Sequence, residues 1–168
     1  MRVDLLVITL VVTALGIEAP GQRSGETDLR ESFDNHLDIY RLNMKSKPKG
    51  LEDFEGFVLE GLPGQKIEDP GVDSLGRSPV GGRLTLTDGT VFPIASAFLK
   101  INRDKKYEWL TFDTAEVNGK RFKFDGHFLR KRVDWPPSYT YIRGTLMMYK
   151  AGKKFLSKDV PFTIYADE

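Results

Sequence analysis

The chain contains no cysteine, and this absence excludes several kinds of chemistry. Without a thiol there are no disulfides, no thiolate metal ligands, no cysteine nucleophile and no lipid attached through an N-terminal cysteine. Asparagine-linked glycosylation has no acceptor either, because no asparagine begins an Asn-x-Ser/Thr sequence. Small exported domains often depend on disulfides. This chain must instead be held together by a buried core, for which about 110–140 folded residues are enough.

The chain also has no large excess of positive or negative charge, since it contains 25 Lys and Arg residues and 24 Asp and Glu residues. Nucleic-acid-binding domains are usually strongly basic, so we expect no nucleic-acid partner. The only two histidines, His36 and His127, do not have the spacing of a zinc site. The stretch around Asp69 and Asp73 lacks the further carboxylates of a calcium loop, and no Gly-x-Ser-x-Gly sequence occurs. The sequence therefore predicts no metal, no cofactor and no catalytic residue.

One long apolar run is present, from Leu5 to Ile17. It is too short for a membrane-spanning helix, which needs about 20 residues, but it suits the hydrophobic region of a signal peptide. Small residues favour cleavage after Gly16, with Ala19 as the alternative. We expect a signal peptide over residues 1–16, a secreted or periplasmic protein, and no transmembrane span in the mature chain. An uncleaved anchor, or a first buried element of the fold, is the alternative.

The chain after the apolar run divides into two parts. Residues 17–50 are expected to be a leader and linker, with one possible short helix within 28–41, where apolar residues recur at helical spacing before passing into an extended segment. Residues 51–168 are expected to form a single β domain, because short alternating runs separated by turn residues begin at Phe54. Residues 61–82, rich in Gly and Pro, are expected to be one long loop.

Two dipeptides indicate tight hairpins within the β region. Asn118-Gly119 lies between extended runs and is typical of a type I′ turn, and Asp88-Gly89 predicts a second two-residue hairpin. Pro93 is expected to mark a strand end or a sheet edge, between separate strands at Thr90–Ile94 and Ala95–Ile101. Alternation places Phe122, Phe124 and Phe162 in the core.

Seven or eight strands without a crossover helix predict an all-β protein with antiparallel pairing. We favour a single two-sheet, immunoglobulin-like β-sandwich over the alternative, a small β-barrel. Both architectures alternate inward and outward side chains along each strand.

The most distinctive surface feature is a cluster of basic and aromatic residues. The candidate ligand-binding residues are Arg130, Arg132, Trp135, Tyr139 and Trp109, with Arg121 and Lys123 expected to lie nearby. Basic residues attract anionic surfaces, and the two tryptophans offer flat faces for sugar rings. The sequence favours an exported, non-enzymatic module that contacts an unknown protein or envelope component. A carbohydrate- or lipid-binding domain using this cluster, and an enzyme of unrecognised type, are the alternatives.

Overall fold

The computed structural model describes residues 33–34, 36–44, 47–67, 69–103, 106–129 and 140–164. Its strands follow one another in chain order around one closed antiparallel barrel. They are β1 (Ile39–Leu42), β2 (Phe54–Glu60), β3 (Arg77–Leu86), β4 (Val91–Ile101), β5 (Tyr107–Thr114), β6 (Lys120–Phe128), β7 (Ile142–Lys150) and β8 (Lys153–Ile164). No helix in these residues is long and apolar enough to cross a membrane.

Closure of the barrel distinguishes this fold from the sandwich favoured above. The all-β, antiparallel prediction is confirmed, but the two-sheet immunoglobulin-like arrangement is wrong and the barrel alternative is correct. Closure depends on β1, where Tyr40 pairs with Ile164 and Leu42 pairs with Phe162 of β8. This strand lies in the segment expected to be leader and linker. Side-chain alternation is the same in both architectures, so it cannot show that the first and last strands meet.

Aromatic rings fill the middle of the barrel. The ring of Phe57 on β2 lies 5.0 Å from that of Phe112 on β5, 6.0 Å from Phe124 on β6 and 4.9 Å from Phe162 on β8, measured between centroids. Tyr40 on β1 stacks on Phe57 at 4.9 Å. Opposite walls therefore touch through side chains, as expected for a narrow eight-stranded barrel. The predicted core residues Phe122, Phe124 and Phe162 are all buried, as predicted.

The hairpin turns follow their local chemistry, with one exception. Asn118 and Gly119 both have positive φ, 52° and 71°, so the predicted type I′ turn is confirmed. The Asp88-Gly89 prediction is wrong in length. Only Gly89 has positive φ, 82°, and the Leu86 N–H donates to the Thr90 carbonyl at 3.0 Å. The loop therefore has three residues, and Gly89 takes the left-handed position that ends such loops.

Strand β3 begins earlier than the sequence predicts. The loop expected over residues 61–82 ends at residue 76, and Arg77–Gly82 is already paired. Gly82 has a φ of 141° and lies where the pairing of β3 with β4 shifts register. A Cβ at position 82 would collide with the carbonyl oxygen of Val58. The glycines therefore allow a bulge and a close approach of backbones within the sheet, where the sequence suggested a loop.

Strand β4 unites two runs that were expected to be separate strands. Thr90–Ile94 and Ala95–Ile101 contribute to the single strand β4, whose pairing with β5 shifts register between Ile94 and Ser96. Pro93 lies inside β4, opposite Arg83, so the expected edge or strand end is wrong. Just after Pro93 the pairing of β4 shifts register with both neighbouring strands, β3 and β5. The missing N–H of proline is tolerated beside such irregularities.

The two ends of the barrel differ. Three connections between strands, 61–76, 102–106 and 129–141, leave and re-enter the barrel at one end, where β1 also begins. We call this the loop end, and the end that carries Thr87–Gly89 and Asn118-Gly119 the turn end. Phe33 and His36 are buried at the loop end, where His36 lies edge-on to Phe128 at 4.1 Å. Phe33 and Asp34 are helical, and β1 follows, consistent with the predicted passage from helix to strand.

Candidate functional site

The predicted ligand-binding residues fall in two places. Arg130, Arg132, Trp135 and Tyr139 lie outside the described residues. Trp109 lies on β5 near the loop end, with its side chain on the outer surface of the barrel and 42% exposed. The candidate site is therefore built from Trp109 and its neighbours on the adjoining strands.

A β-bulge sets the direction in which Trp109 points. Lys100 pairs with Trp109, but the next pair joins Ile101 to Tyr107, so Glu108 is an extra residue in β5. Tyr107 and Leu110 are buried while Glu108 and Trp109 are both exposed. Bulges commonly redirect a side chain in this way near functional sites. Here the extra residue keeps Tyr107 in the core and turns the indole outward.

Two neighbours on β6 fix the orientation of the indole. The Nε1–H of Trp109 donates to Oδ1 of Asp125 at 2.6 Å. His127, the direct cross-strand partner of Trp109, lies 5.6 Å away between ring centroids at an interplanar angle of 28°. A charge-assisted hydrogen bond and an offset stack restrict rotation of the ring. The two rings therefore form a preorganised aromatic surface on rigid strands.

Cations flank this aromatic surface on both sides. The register places Lys100 on β4, Trp109 on β5, His127 on β6 and Arg143 on β7 side by side, and all four side chains are exposed. We call these four residues the Trp109 row. With strands about 4.8 Å apart, the row spans roughly 14 Å across its three intervals. Within the described residues, neither Lys100 nor Arg143 has a carboxylate partner.

Two carboxylates beside the row accept hydrogen bonds from neutral donors. Asp125 accepts the indole N–H, and Oε1 of Glu108 accepts a hydrogen bond from Nδ2 of Asn102 at 2.5 Å. Both donors are neutral, so the two carboxylates keep their negative charge, while the positive charges of the row lie at its two ends, on Lys100 and Arg143. An anionic group placed over the rings would find positive charge at either end.

Arg121 and Lys123 do not join this site. Both contact Oδ2 of Asp113, at 3.2 Å and 2.8 Å, and the Arg121 guanidinium lies over the Tyr149 ring at 4.8 Å. Arg121 is six residues from His127 along β6, which corresponds to about 20 Å. It lies near the turn end, whereas the chain leaves β6 for residues 130–139 at the loop end. Arg121 and Lys123 therefore lie apart from Trp109, and their expected grouping with Arg130 and Arg132 concerns residues outside the described part of the chain.

Two hydroxyl groups that do not belong to the Trp109 row are buried near the loop end. The hydroxyls of Ser78 and Tyr107 share a hydrogen bond, and both residues are buried. Burial raises the pKa of the Tyr107 phenol above its ordinary value of 10.0, and the hydrogen bond with Ser78 opposes that rise. His36 lies 5.9 Å from the Tyr107 ring and Tyr40 donates to the His36 carbonyl at 2.8 Å. These contacts close the core beneath the loops.

The two histidines lie on opposite sides of the barrel wall. His36 is in the core and His127 is on the outer surface beside Trp109. Among the described residues, no group of three or more His, Cys, Asp and Glu side chains converges as metal ligands would.

Sequence reasoning found Trp109 but missed its neighbours Lys100, His127 and Arg143. Their grouping depends on pairing across four strands, and residue composition carries no sign of it. The chain matches no family model, and it matches no curated protein and no solved structure.

Proposed function

We propose that the protein is a non-catalytic binding domain that takes an acidic carbohydrate on the Trp109 row. The observation that carries this proposal is the outward-facing indole of Trp109, held by Asp125 and stacked beside His127. Burying such a ring against a ligand removes apolar surface from water without ordering a flexible side chain. The role in protein or envelope contacts expected from the sequence is compatible with such a domain.

A sugar ring matches the shape and polarity of this surface. The C–H face of a pyranose is flat and apolar, while its rim carries hydroxyl groups that need hydrogen-bond partners. The exposed part of the indole offers a flat apolar surface next to the imidazole, and the polar side chains nearby, Thr111 and Thr145 among them, offer hydroxyls. Binding sites commonly combine aromatic surface with a few polar groups that fix orientation.

The flanking cations favour an acidic sugar over a neutral one. Lys100 and Arg143 bracket the rings, and each is exposed without a carboxylate partner in the described part of the chain. A uronic-acid carboxylate over either end would gain a charge-assisted hydrogen bond. Because the site is exposed, this gain is screened by salt.

Isothermal titration calorimetry with tri-galacturonate, and with neutral trigalactose of the same length, tests the proposal. The chain should bind the acidic trimer more tightly, and Trp109→Ala should weaken binding by about tenfold or more, corresponding to about 1.4 kcal/mol. Phe155→Ala is the matched control, because Phe155 is another exposed aromatic residue on the barrel, 64% exposed on β8. Its removal should leave affinity unchanged.

The charge component has its own variants. Lys100→Gln with Arg143→Gln should reduce the preference for the acidic trimer and flatten its salt dependence, while leaving binding of the neutral trimer unchanged. If Trp109→Ala and Phe155→Ala bind both trimers equally well, the Trp109 row is not the binding surface.

A further inference from the structure

Loop 61–76, at the loop end, presents aliphatic side chains to solvent. The exposed fractions are 38% for Leu62, 38% for Ile67, 40% for Val72 and 62% for Leu75. Leu129, where β6 ends at the same end of the barrel, is 40% exposed. Single exposed aliphatic residues are ordinary, but four within one connection indicate a surface with an interaction role.

Hydrogen bonds hold the first half of this loop in one conformation. Oε1 of Gln65 accepts the Leu62 N–H at 2.8 Å, and its Nε2 donates to the Pro70 carbonyl at 2.7 Å and the Pro79 carbonyl at 2.9 Å. Gln65 therefore ties the loop to strand β3. The neighbouring aliphatic side chains are exposed on an ordered backbone.

Asp73 holds the second half. Its Oδ1 accepts the Leu75 N–H at 2.8 Å and the Arg77 N–H at 2.9 Å, while its Oδ2 accepts Nε of Arg77 at 2.8 Å. These bonds build the turn on which Leu75 lies, directly before β3. Leu75 is the most exposed aliphatic residue of the loop because this turn holds its backbone away from the core.

The charged groups around the loop differ in whether they have a partner of opposite charge. Asp73 is paired with Arg77, whereas Asp69 and Glu108 accept hydrogen bonds from the neutral Gly71 N–H and Asn102 amide and keep their negative charge. The cations at this end without a carboxylate partner in the described residues are Lys66, Lys100, Arg103, Lys106 and Arg143. These five cations share this end with the aliphatic side chains, and they outnumber Asp69 and Glu108, the charged carboxylates beside them.

We propose that the loop end docks on an anionic lipid bilayer, with Leu75 and its neighbours entering the interface. Exposed aliphatic groups gain from leaving water for the acyl region, and Lys and Arg are attracted to anionic headgroups. Charge complementarity and the ordered presentation of aliphatic residues carry this assignment. Lys100 and Arg143 belong to both surfaces, but the vesicle test does not depend on carbohydrate binding, because phospholipid vesicles carry no sugar polymer.

The missing cysteine makes a site-specific test possible. Leu75→Cys in the full chain supplies the only thiol, which is labelled with the environment-sensitive fluorophore NBD. Thr87→Cys, at an exposed position in the turn end, is the matched control. Vesicles of phosphatidylcholine with phosphatidylglycerol should shift the emission of the label at position 75 to the blue and increase its intensity several-fold. The label at position 87 should not respond.

Comparing the labels at positions 75 and 87 distinguishes docking of the loop from adhesion of the N-terminal apolar segment. Both variants contain the same N-terminal segment, so its adhesion alone would not favour the label at position 75. Neutral phosphatidylcholine vesicles should give a smaller response at position 75, and Arg103→Glu with Lys106→Glu should reduce the response to anionic vesicles. An unresponsive label at position 75, or equal responses at positions 75 and 87, would overturn the proposal. The former result would also favour a protein partner for the loop.

Discussion

The ring of Phe124 lies over Gly144, which belongs to the neighbouring strand β7. A Cβ at position 144 would come within 2.7 Å of Cζ of Phe124, and it would also collide with the Asp125 carbonyl oxygen. Gly144 pairs directly with Gly126, where a Cβ would also collide with the Phe124 ring. Two paired glycines therefore leave the space in which one aromatic ring lies flat against the inside of the barrel wall.

Gly144→Ala should destabilise the barrel. The added methyl group meets both backbone and a buried ring, and such overpacking costs about 1–3 kcal/mol. Thr145→Ala, on the outward face of the same strand, should change the free energy of unfolding much less. Urea denaturation of both variants followed by circular dichroism measures the difference. Equal midpoints would show that the wall beside Phe124 can relax at no cost.

Phe57→Ala should be among the most damaging core substitutions. Phe57 is buried and contacts rings on four other strands, so truncation opens a cavity at the centre of the barrel and should cost about 3–5 kcal/mol. Phe155→Ala removes the same side chain from an exposed position and should stay within about 0.5 kcal/mol of the parent. Thermal denaturation of the pair tests the assignment, and a stable Phe57→Ala variant would contradict a filled interior.

Local chemistry accounts for the parts of the fold that the sequence predicted. Asn118-Gly119 forms its turn because both residues accept positive φ, and the buried faces of β6 and β8 follow from alternation. Closure could not be predicted in this way. It depends on pairing Tyr40 with Ile164, at opposite ends of the described chain, and no local pattern marks the two strands as partners.

The candidate site was hidden by irregular pairing. An uninterrupted ladder from the Asn118-Gly119 turn would place Trp109 opposite Phe128. In the structure Trp109 faces His127 instead. The pairing of the two strands shifts by one residue between Thr114 and Val117, after β5 has ended, so the register set by the turn does not hold along β5. A one-residue slip exchanges the faces of a strand, so the turn alone indicates the wrong neighbour for Trp109.

The buried hydrogen bond between Ser78 and Tyr107 should be measurable by a double-mutant cycle. Tyr107→Phe removes the partner of a fully buried hydroxyl and should cost about 1–3 kcal/mol. Ser78→Ala should also destabilise the protein, and the double variant should lose less than the sum of the two single losses. Chemical denaturation of the four proteins gives the coupling energy. Strictly additive losses would show that the two hydroxyls do not stabilise the fold together.

Asp73 should make the order of loop 61–76 dependent on pH. Hydrogen bonding from the backbone N–H of Arg77 is the largest cause that holds the pKa of Asp73 below its ordinary value of 3.8, assisted by the Arg77 side chain and the Leu75 N–H. A depressed pKa means that the ionised carboxylate stabilises the folded loop above pH 3.8, and that this stabilisation is lost as pH falls through the lower folded-state pKa. Hydrogen exchange at the Leu75 and Arg77 amides should therefore lose protection at low pH, after correction for the intrinsic exchange rate. Asp73→Asn should have lower protection at neutral pH and a weaker pH dependence. Protection that is the same in both proteins across this range would show that Asp73 does not order the loop.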